Sequence, residues 1–160
     1  MRNKIFKYNF ILIFIFLLTG CGFKILDKSK LLNFNIKEIE MTGNKKVNYH
    51  ISNNIRNIIK PKKAKEDLLL KINSEQNKLI KEKNDKNQIT KYQIELNISG
   101  EIYFLKKDIK KKIYTKIKGD YVVETNHEST LSNQNNLEVF LAKKASNFII
   151  NELSQLANDI

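Results

Sequence analysis

Apolar and polar residues alternate almost without interruption between residues 92 and 104. Successive side chains of a β-strand point to opposite faces, so this period of two predicts a strand with one buried and one wet face. A strand with a single wet face is typical of an antiparallel sheet. Gly100 breaks the apolar series and predicts a bulge or a bend. The apolar positions are all even: Tyr92, Ile94, Leu96, Ile98, Ile102 and Phe104.

Three further segments alternate in the same way and predict three more strands. In the first, residues 32–41, the phase slips at Lys37-Glu38, which predicts a β-bulge or a strand end. The other two are residues 65–80 and 113–123. Short Lys-, Asn- and Asp-containing turns separate the last three strands, so we expect these strands to form a meander.

Two segments repeat apolar residues at the helical period. In the first, Asn44 or Asn48 could supply the N-cap, and Pro61 ends the helix at or before Lys60. Its apolar stripe consists of Val47, Ile51, Ile55, Ile58 and Ile59. The second helix is predicted from about Asn136, as N-cap, to Asn158. Residues 126–135 before it are predicted to form a polar loop.

The predicted order is strand, helix, strand, strand, strand, helix. A sheet with one wet face and two amphipathic helices is most simply arranged with both helices on the other face. We therefore expect an α+β fold of two layers, with a four-stranded, mainly antiparallel sheet. Residues 32–160 form this single domain, preceded by a signal peptide (residues 1–20) and a lipidated tether (residues 21–31).

The signal peptide is predicted from an apolar run, Phe10 to Leu18, which follows three basic residues. Small residues and the only cysteine, Cys21, come directly after it, which is the layout of a cleaved export signal. The run is too short for a transmembrane helix, which needs about 20 residues. An ordinary signal peptide with a chance cysteine, or a buried free thiol, is the alternative reading of Cys21.

The segment Leu18-Thr19-Gly20-Cys21 resembles the lipobox of bacterial lipoproteins. The resemblance implies that Cys21 is acylated on its sulfur and on its amine, and is the first residue of the mature chain. Two or three acyl chains, at about 0.8 kcal/mol per buried methylene, anchor a protein stably. Gly22 follows, where an Asp retains lipoproteins in the inner membrane of enteric bacteria, so outer-membrane sorting is implied.

The chain is strongly basic, with a net charge of +12. Such a charge suits anionic partners, although a composition rich in Lys, Ile and Asn is also what an AT-rich genome produces. Nucleic acid is not an expected partner of an exported, lipid-anchored protein. His50 and His127 have no ligand-type neighbours at metal-site spacing, and the catalytic motifs are absent, so we expect no metal, no cofactor and no enzymatic activity.

The most suggestive polar cluster is a run of lysines around the turn between the last two strands. One interpretation is that it holds phosphate groups, which lysine binds as a compact point charge. The other is a solvated loop whose lysines guard a sheet edge against aggregation. The run consists of Lys106, Lys107, Lys110, Lys111 and Lys112.

Several short features together resemble the lipopolysaccharide-assembly lipoprotein family LptE, in its α-proteobacterial form. The lipobox is followed by Gly22-Phe23-Lys24, and a strand and a helix come next. Tyr121-Val122-Val123 and Thr130-Leu131 precede an alanine-containing helix from Leu137 to Leu156, as in the family's closing pattern.

This resemblance implies a non-enzymatic lipoprotein anchored to the periplasmic side of the outer membrane. It would plug the β-barrel LptD, assist the assembly of that barrel and help deliver lipopolysaccharide to the outer leaflet. By position in the meander, Lys106 and Lys107 best match the family's lipopolysaccharide-binding residues, with Lys110 and Lys111 behind them. The alternative is an envelope lipoprotein that binds an anionic polymer or another envelope partner, without a barrel.

Overall fold

The computed structural model describes residues 31, 34–60, 64 and 66–159. Its six elements follow the predicted order, and the predicted two-layer α+β fold is confirmed. The signal peptide, the tether and Cys21 lie outside the described residues. The elements are β1 (Phe34–Gly43), α1 (Lys45–Ile58), β2 (Glu66–Lys83), β3 (Ile89–Phe104), β4 (Ile109–Val122) and α2 (His127–Asp159).

The four strands lie in chain order, β1-β2-β3-β4. The β2–β3 and β3–β4 pairs are antiparallel, as predicted for most of the sheet. The β1–β2 pair is parallel, because α1 crosses over between the two strands and returns the chain to the end where β1 began. The register of this pair shifts between Ile36 and Glu38, which confirms the predicted bulge at Lys37.

Gly100 marks a close approach of two backbones, and the predicted bulge at this position is wrong. The register continues through it, with Ile72 on one side and Ile113 on the other. A Cβ at Gly100 would lie 2.4 Å from the backbone oxygen of Lys71. A glycine is therefore needed because the β2 backbone occupies the space that a side chain would take.

Both helices cover the same face of the sheet, and the core lies between the two layers. Full burial of each large apolar side chain contributes about 1.5–3 kcal/mol. Phe34 and Phe104 close one end of the core with an edge-on ring contact of 5.9 Å between centroids. The largest fully buried side chains are Leu31, Ile51, Ile55, Leu68, Leu70, Ile94, Leu96, Ile98, Ile102, Phe104, Leu141 and Ile149.

One of the two predicted N-cap residues caps helix α1. The side chain of Asn44 accepts a hydrogen bond from the backbone N–H of Val47 at 3.1 Å, so Asn44 is the N-cap. Asn48 lies within the helix, where its amide donates to the backbone oxygen of Thr42. The helix ends at Ile58, ahead of Pro61, as predicted.

Helix α2 begins at His127, so the prediction of a polar loop at residues 126–135 is wrong. The first turns are mostly exposed and carry no apolar stripe, which is why the helical period could not be recognised. Local hydrogen bonds start this part of the helix instead: the Asn126 side chain accepts from the backbone N–H of Glu128 at 2.8 Å. Further along, Gln134 accepts from the Tyr121 hydroxyl at 2.9 Å, which ties the helix to the sheet.

Candidate functional site

The face of the sheet that no helix covers is polar and carries ion pairs between side chains of different strands. Carboxylates on one strand meet lysines on another, in most pairs on the adjacent strand, an arrangement that stabilises a sheet without burying apolar surface. The pairs are Glu40–Lys71 (2.9 Å), Glu101–Lys110 (2.8 Å), Glu95–Lys116 (2.6 Å), Glu95–Lys118 (3.1 Å), Glu82–Lys91 (2.9 Å) and Asp120–Lys81. We call this surface the open face.

The lysines keep the open-face carboxylates ionised. A hydrogen bond from Lys116, followed by one from Lys118, lowers the pKa of Glu95. Lys110, together with the Tyr103 hydroxyl, lowers the pKa of Glu101. A general acid would need the opposite shift at neutral pH, so these carboxylates serve as ion-pair partners rather than as proton donors.

A shallow depression of about 620 Å³ lies on the open face. Its polar lining includes Lys71, Asn73, Ser99 and Lys112. Tyr114 stands at its side with 64% of its surface exposed. Within the described part of the chain, no group of three His, Cys, Asp or Glu residues could hold a metal ion. Because its depression is shallow and much of its lining is polar, the open face is suited to contact a polar surface over a wide area.

Lys106 and Lys107 lie on the turn Leu105–Asp108, between β3 and β4. The turn is tied to the start of β2 by two hydrogen bonds. The backbone N–H of Leu105 donates to the Asp67 backbone oxygen, and that of Lys106 donates to the Glu66 carboxylate, both at 2.9 Å. The two best-matched lysines are thus exposed on a turn whose backbone is held in place.

Lys110 and Lys111 are neighbours on β4 and lie on opposite faces of the sheet. Lys110 lies on the open face, where hydrogen bonds to Glu101 and Tyr103 raise its pKa. Lys111 lies on the helix side, 3.4 Å from the Glu152 carboxylate of α2. The structure therefore brings Lys106 and Lys107 together on one turn, and separates Lys110 from Lys111.

Two apolar residues beside these lysines were not singled out from the sequence. Leu105 is 47% exposed and Ile109 is 42% exposed, so both carry apolar surface into solvent at the turn. An alternating pattern does not distinguish an apolar residue at a strand end from one in the core. Their position on either side of a polar turn, Lys106 to Asp108, is the sequence feature that could have indicated their exposure.

An ion pair between the half-exposed Lys46 and the buried Glu138 joins both helices to the sheet. The Lys46 Nζ of α1 lies 2.6 Å from Glu138 Oε2 of α2, and the side-chain amides of Gln76 and Gln134 donate to Glu138 Oε1 at 3.0 and 2.9 Å. Burial acts to raise the pKa of Glu138, but the hydrogen bonds from Lys46 and the two amides outweigh it, so the pKa is lowered. Glu138 has a structural role, because Lys46, Gln76 and Gln134 all stabilise the charged form of its carboxylate.

We expect Glu138→Gln to reduce stability at pH 7 by about 1–2 kcal/mol, since Lys46 stays half exposed. The pKa of Glu138 is lower in the folded protein than its ordinary value of 4.5, so the ionised carboxylate stabilises the fold at pH values above 4.5. This stabilisation is lost as the pH falls from 4.5 through the folded-state pKa. The variant should therefore lose less stability than the native chain between pH 7 and pH 4. Urea unfolding at both pH values measures this, with exposed Glu75→Gln as the control. An unchanged pH dependence in Glu138→Gln would contradict the assignment.

A search of the described helices for a membrane span finds none that is sufficiently long and apolar.

The fold is a two-layer α+β domain built from a β-α-β unit and an antiparallel meander, and solved lipoprotein structures share it. Rare lipoprotein B from Shewanella oneidensis superimposes with a TM-score of 0.58 at 12% identity, over 76% of this chain and 97% of that one. A putative lipoprotein from Caulobacter crescentus gives a TM-score of 0.56 at 15% identity, over 83% and 96% of the two chains.

A third structure, uncharacterized lipoprotein B from Nitrosomonas europaea, has a TM-score of 0.56 at 7% identity, over 80% of this chain and 88% of that one. At these identities the likeness concerns the fold. No protein-family profile matches the sequence, and no curated protein matches it.

Proposed function

We propose that the chain is a non-enzymatic outer-membrane lipoprotein of the LptE type, anchored through Cys21 on the periplasmic side. It plugs the β-barrel LptD, assists the assembly of that barrel and helps deliver lipopolysaccharide to the outer leaflet. The observation that carries the proposal is the fold shared with rare lipoprotein B, a protein of the LptE type, over 97% of its chain. A fold alone does not define a function, so the surfaces must also suit the role.

The open face suits the inside of a barrel. Residues that face the lumen of an outer-membrane barrel are polar, and the open face presents paired charges and exposed tyrosine to such a wall. Because Glu95 and Glu101 already have lysine partners, moving their charges from water to a polar interface costs less than it would for unpaired carboxylates. We therefore assign barrel contact to the open face.

Lys106 and Lys107 suit the phosphorylated head group of lipopolysaccharide. Both are exposed on a turn whose backbone is fixed to β2, so two ammonium groups can meet phosphate oxygens with little reordering of the chain. Lys110 and Lys111 are secondary candidates, because they lie behind the turn and on opposite faces of the sheet, where they pair with Glu101 and Glu152.

The test is a mild-detergent purification of the tagged lipoprotein from outer membranes, with identification of the chains that accompany it. We expect a large β-barrel in equal amount. Tyr114→Arg should lower the barrel yield about tenfold, because it removes an aromatic contact and adds an unpaired charge to the interface. Tyr49→Arg is the matched control: Tyr49 is also 64% exposed but lies on α1, so the yield should not change.

A second arm tests the glycolipid. Lys106→Glu with Lys107→Glu should reduce the lipopolysaccharide that co-purifies while the barrel remains bound. Recovery of the lipoprotein alone, or from the inner membrane, would overturn the plug role. That result would favour the other function, an envelope lipoprotein that binds an anionic polymer.

A further inference from the structure

The end of the domain that carries the basic turn is also the end nearest the predicted lipid anchor. Phe34, the first residue of β1, pairs with Glu66 at the start of β2, and the turn after β3 is hydrogen bonded to Glu66 and Asp67. The chain that leads back to Cys21 therefore enters the domain beside the turn. We call residues 105–109 the anchor-side tip.

The length of the tether keeps this end close to the membrane. Leu31 is already buried in the core and lies ten residue steps along the chain from Cys21. Fully extended, ten residues reach about 35 Å. Strand β2, with 18 residues, is about 55–60 Å long, and the turn at residues 84–88 lies at its far end. A domain standing upright on the far turn would hold Leu31 farther from the membrane than the tether allows.

The anchor-side tip has the composition of a shallow membrane contact. Leu105 and Ile109 are nearly half exposed, and Lys106, Lys107 and Asp108 between them are exposed as well, so the lysines outnumber the one carboxylate of the tip. The nearby Glu66 carboxylate is 7% exposed and accepts a hydrogen bond from the turn backbone, so its charge is directed inward. Apolar side chains beside lysines bind where acyl chains meet anionic head groups, with the lysine stems lying along the boundary.

We propose that the anchor-side tip is a membrane-contact site for the surface of an anionic bilayer. Leu105 and Ile109 enter the boundary between head groups and acyl chains, and Lys106 and Lys107 lie among the lipid phosphates. In the lipoprotein that has no barrel bound, the contact provides a second attachment beside the acyl chains and sets the domain upright, with residues 84–88 pointing away from the membrane. This inference rests on the proposed anchor at Cys21 but does not require a barrel.

The chain offers a direct test because its only cysteine is the predicted acylation site. The mature lipoprotein, purified without a barrel and reconstituted in vesicles of phosphatidylglycerol and phosphatidylethanolamine, would carry a single new cysteine. Leu105→Cys places a polarity-sensitive dye at the anchor-side tip. Lys86→Cys places the same dye at the far turn as the matched control. Lipids with a nitroxide near the head group then quench any dye at the membrane boundary.

We expect the dye at residue 105 to shift to the blue and to be quenched at least about threefold more than the dye at residue 86. Adding Lys106→Gln and Lys107→Gln should reduce this difference in anionic vesicles and leave zwitterionic vesicles unaffected. Equal quenching at the two positions, or no quenching at residue 105, would overturn the inference. Mass spectrometry of Cys21 shows whether the contact alone or also the anchor has failed. If Cys21 is acylated and the dye at residue 105 is not quenched, only the membrane contact is overturned. If Cys21 is unmodified, the lipid anchor is overturned as well.

Discussion

Gly43→Ala is expected to lower the free energy of unfolding by about 2–4 kcal/mol, a large part of the 5–15 kcal/mol typical of a domain. Gly43 has a φ of 92°, a region that residues with a side chain rarely adopt. A Cβ would also lie 1.9 Å from the backbone oxygen of Ser74. That oxygen accepts the 2.9 Å hydrogen bond from Asn44, so relief of the clash would disturb the residue that caps α1.

Gly119→Ala is the matched control for this experiment. Its Cβ would meet Leu137 Cδ1 at 2.5 Å, which is the end of a flexible side chain rather than backbone. We expect a loss of about 1 kcal/mol, because the leucine can move. Urea unfolding followed by circular dichroism gives both values. A Gly43→Ala variant as stable as the native chain would show that β1 and β2 do not approach as described.

Cys21→Ala is expected to remove the protein from the outer membrane altogether. The resemblance to the lipobox implies that Cys21 is the site of every acyl chain, and each buried methylene would contribute about 0.8 kcal/mol to anchoring. Metabolic labelling with a radioactive fatty acid, followed by membrane fractionation, measures both the modification and the location.

Ser29→Ala, in the same tether, should keep the label and the location of the native protein. A Cys21→Ala chain that still carried the fatty acid would disprove acylation at this residue. A variant without label that remained in the outer membrane would show that protein contacts, such as those of the open face, suffice for attachment.

The periodic segments were predicted well because period is a local property of the backbone. The alternation at residues 92–104 identified β3 together with its buried face, and the phase slip at Lys37-Glu38 located the bulge of β1. Where a residue's role depends on a distant neighbour, prediction failed. Gly100 was interpreted as a bulge, but its reason is the Lys71 backbone 29 residues away. The first turns of α2 lack an apolar stripe and are mostly exposed, so no periodic pattern identified them.

At the candidate site, too, local features were predicted from the sequence and contacts with distant residues were not. The lysine run was visible in the sequence, and so was the turn that carries Lys106 and Lys107. That Lys110 faces away from Lys111 follows from the strand period, but their partners Glu101 and Glu152 lie on other elements. The exposure of Leu105 and Ile109 depends on where the sheet ends relative to the helices, which no local pattern records.

The sequence by itself determined the type and order of the elements and predicted the acylated cysteine, because backbone period and a short motif are read within a few residues. Only the tertiary structure decided that β1 runs parallel to β2 and that the basic turn shares an end of the domain with the tether. It also decided that Glu138 is buried against Lys46. These features join residues 30 to 100 positions apart, and the packing of the two layers selects them.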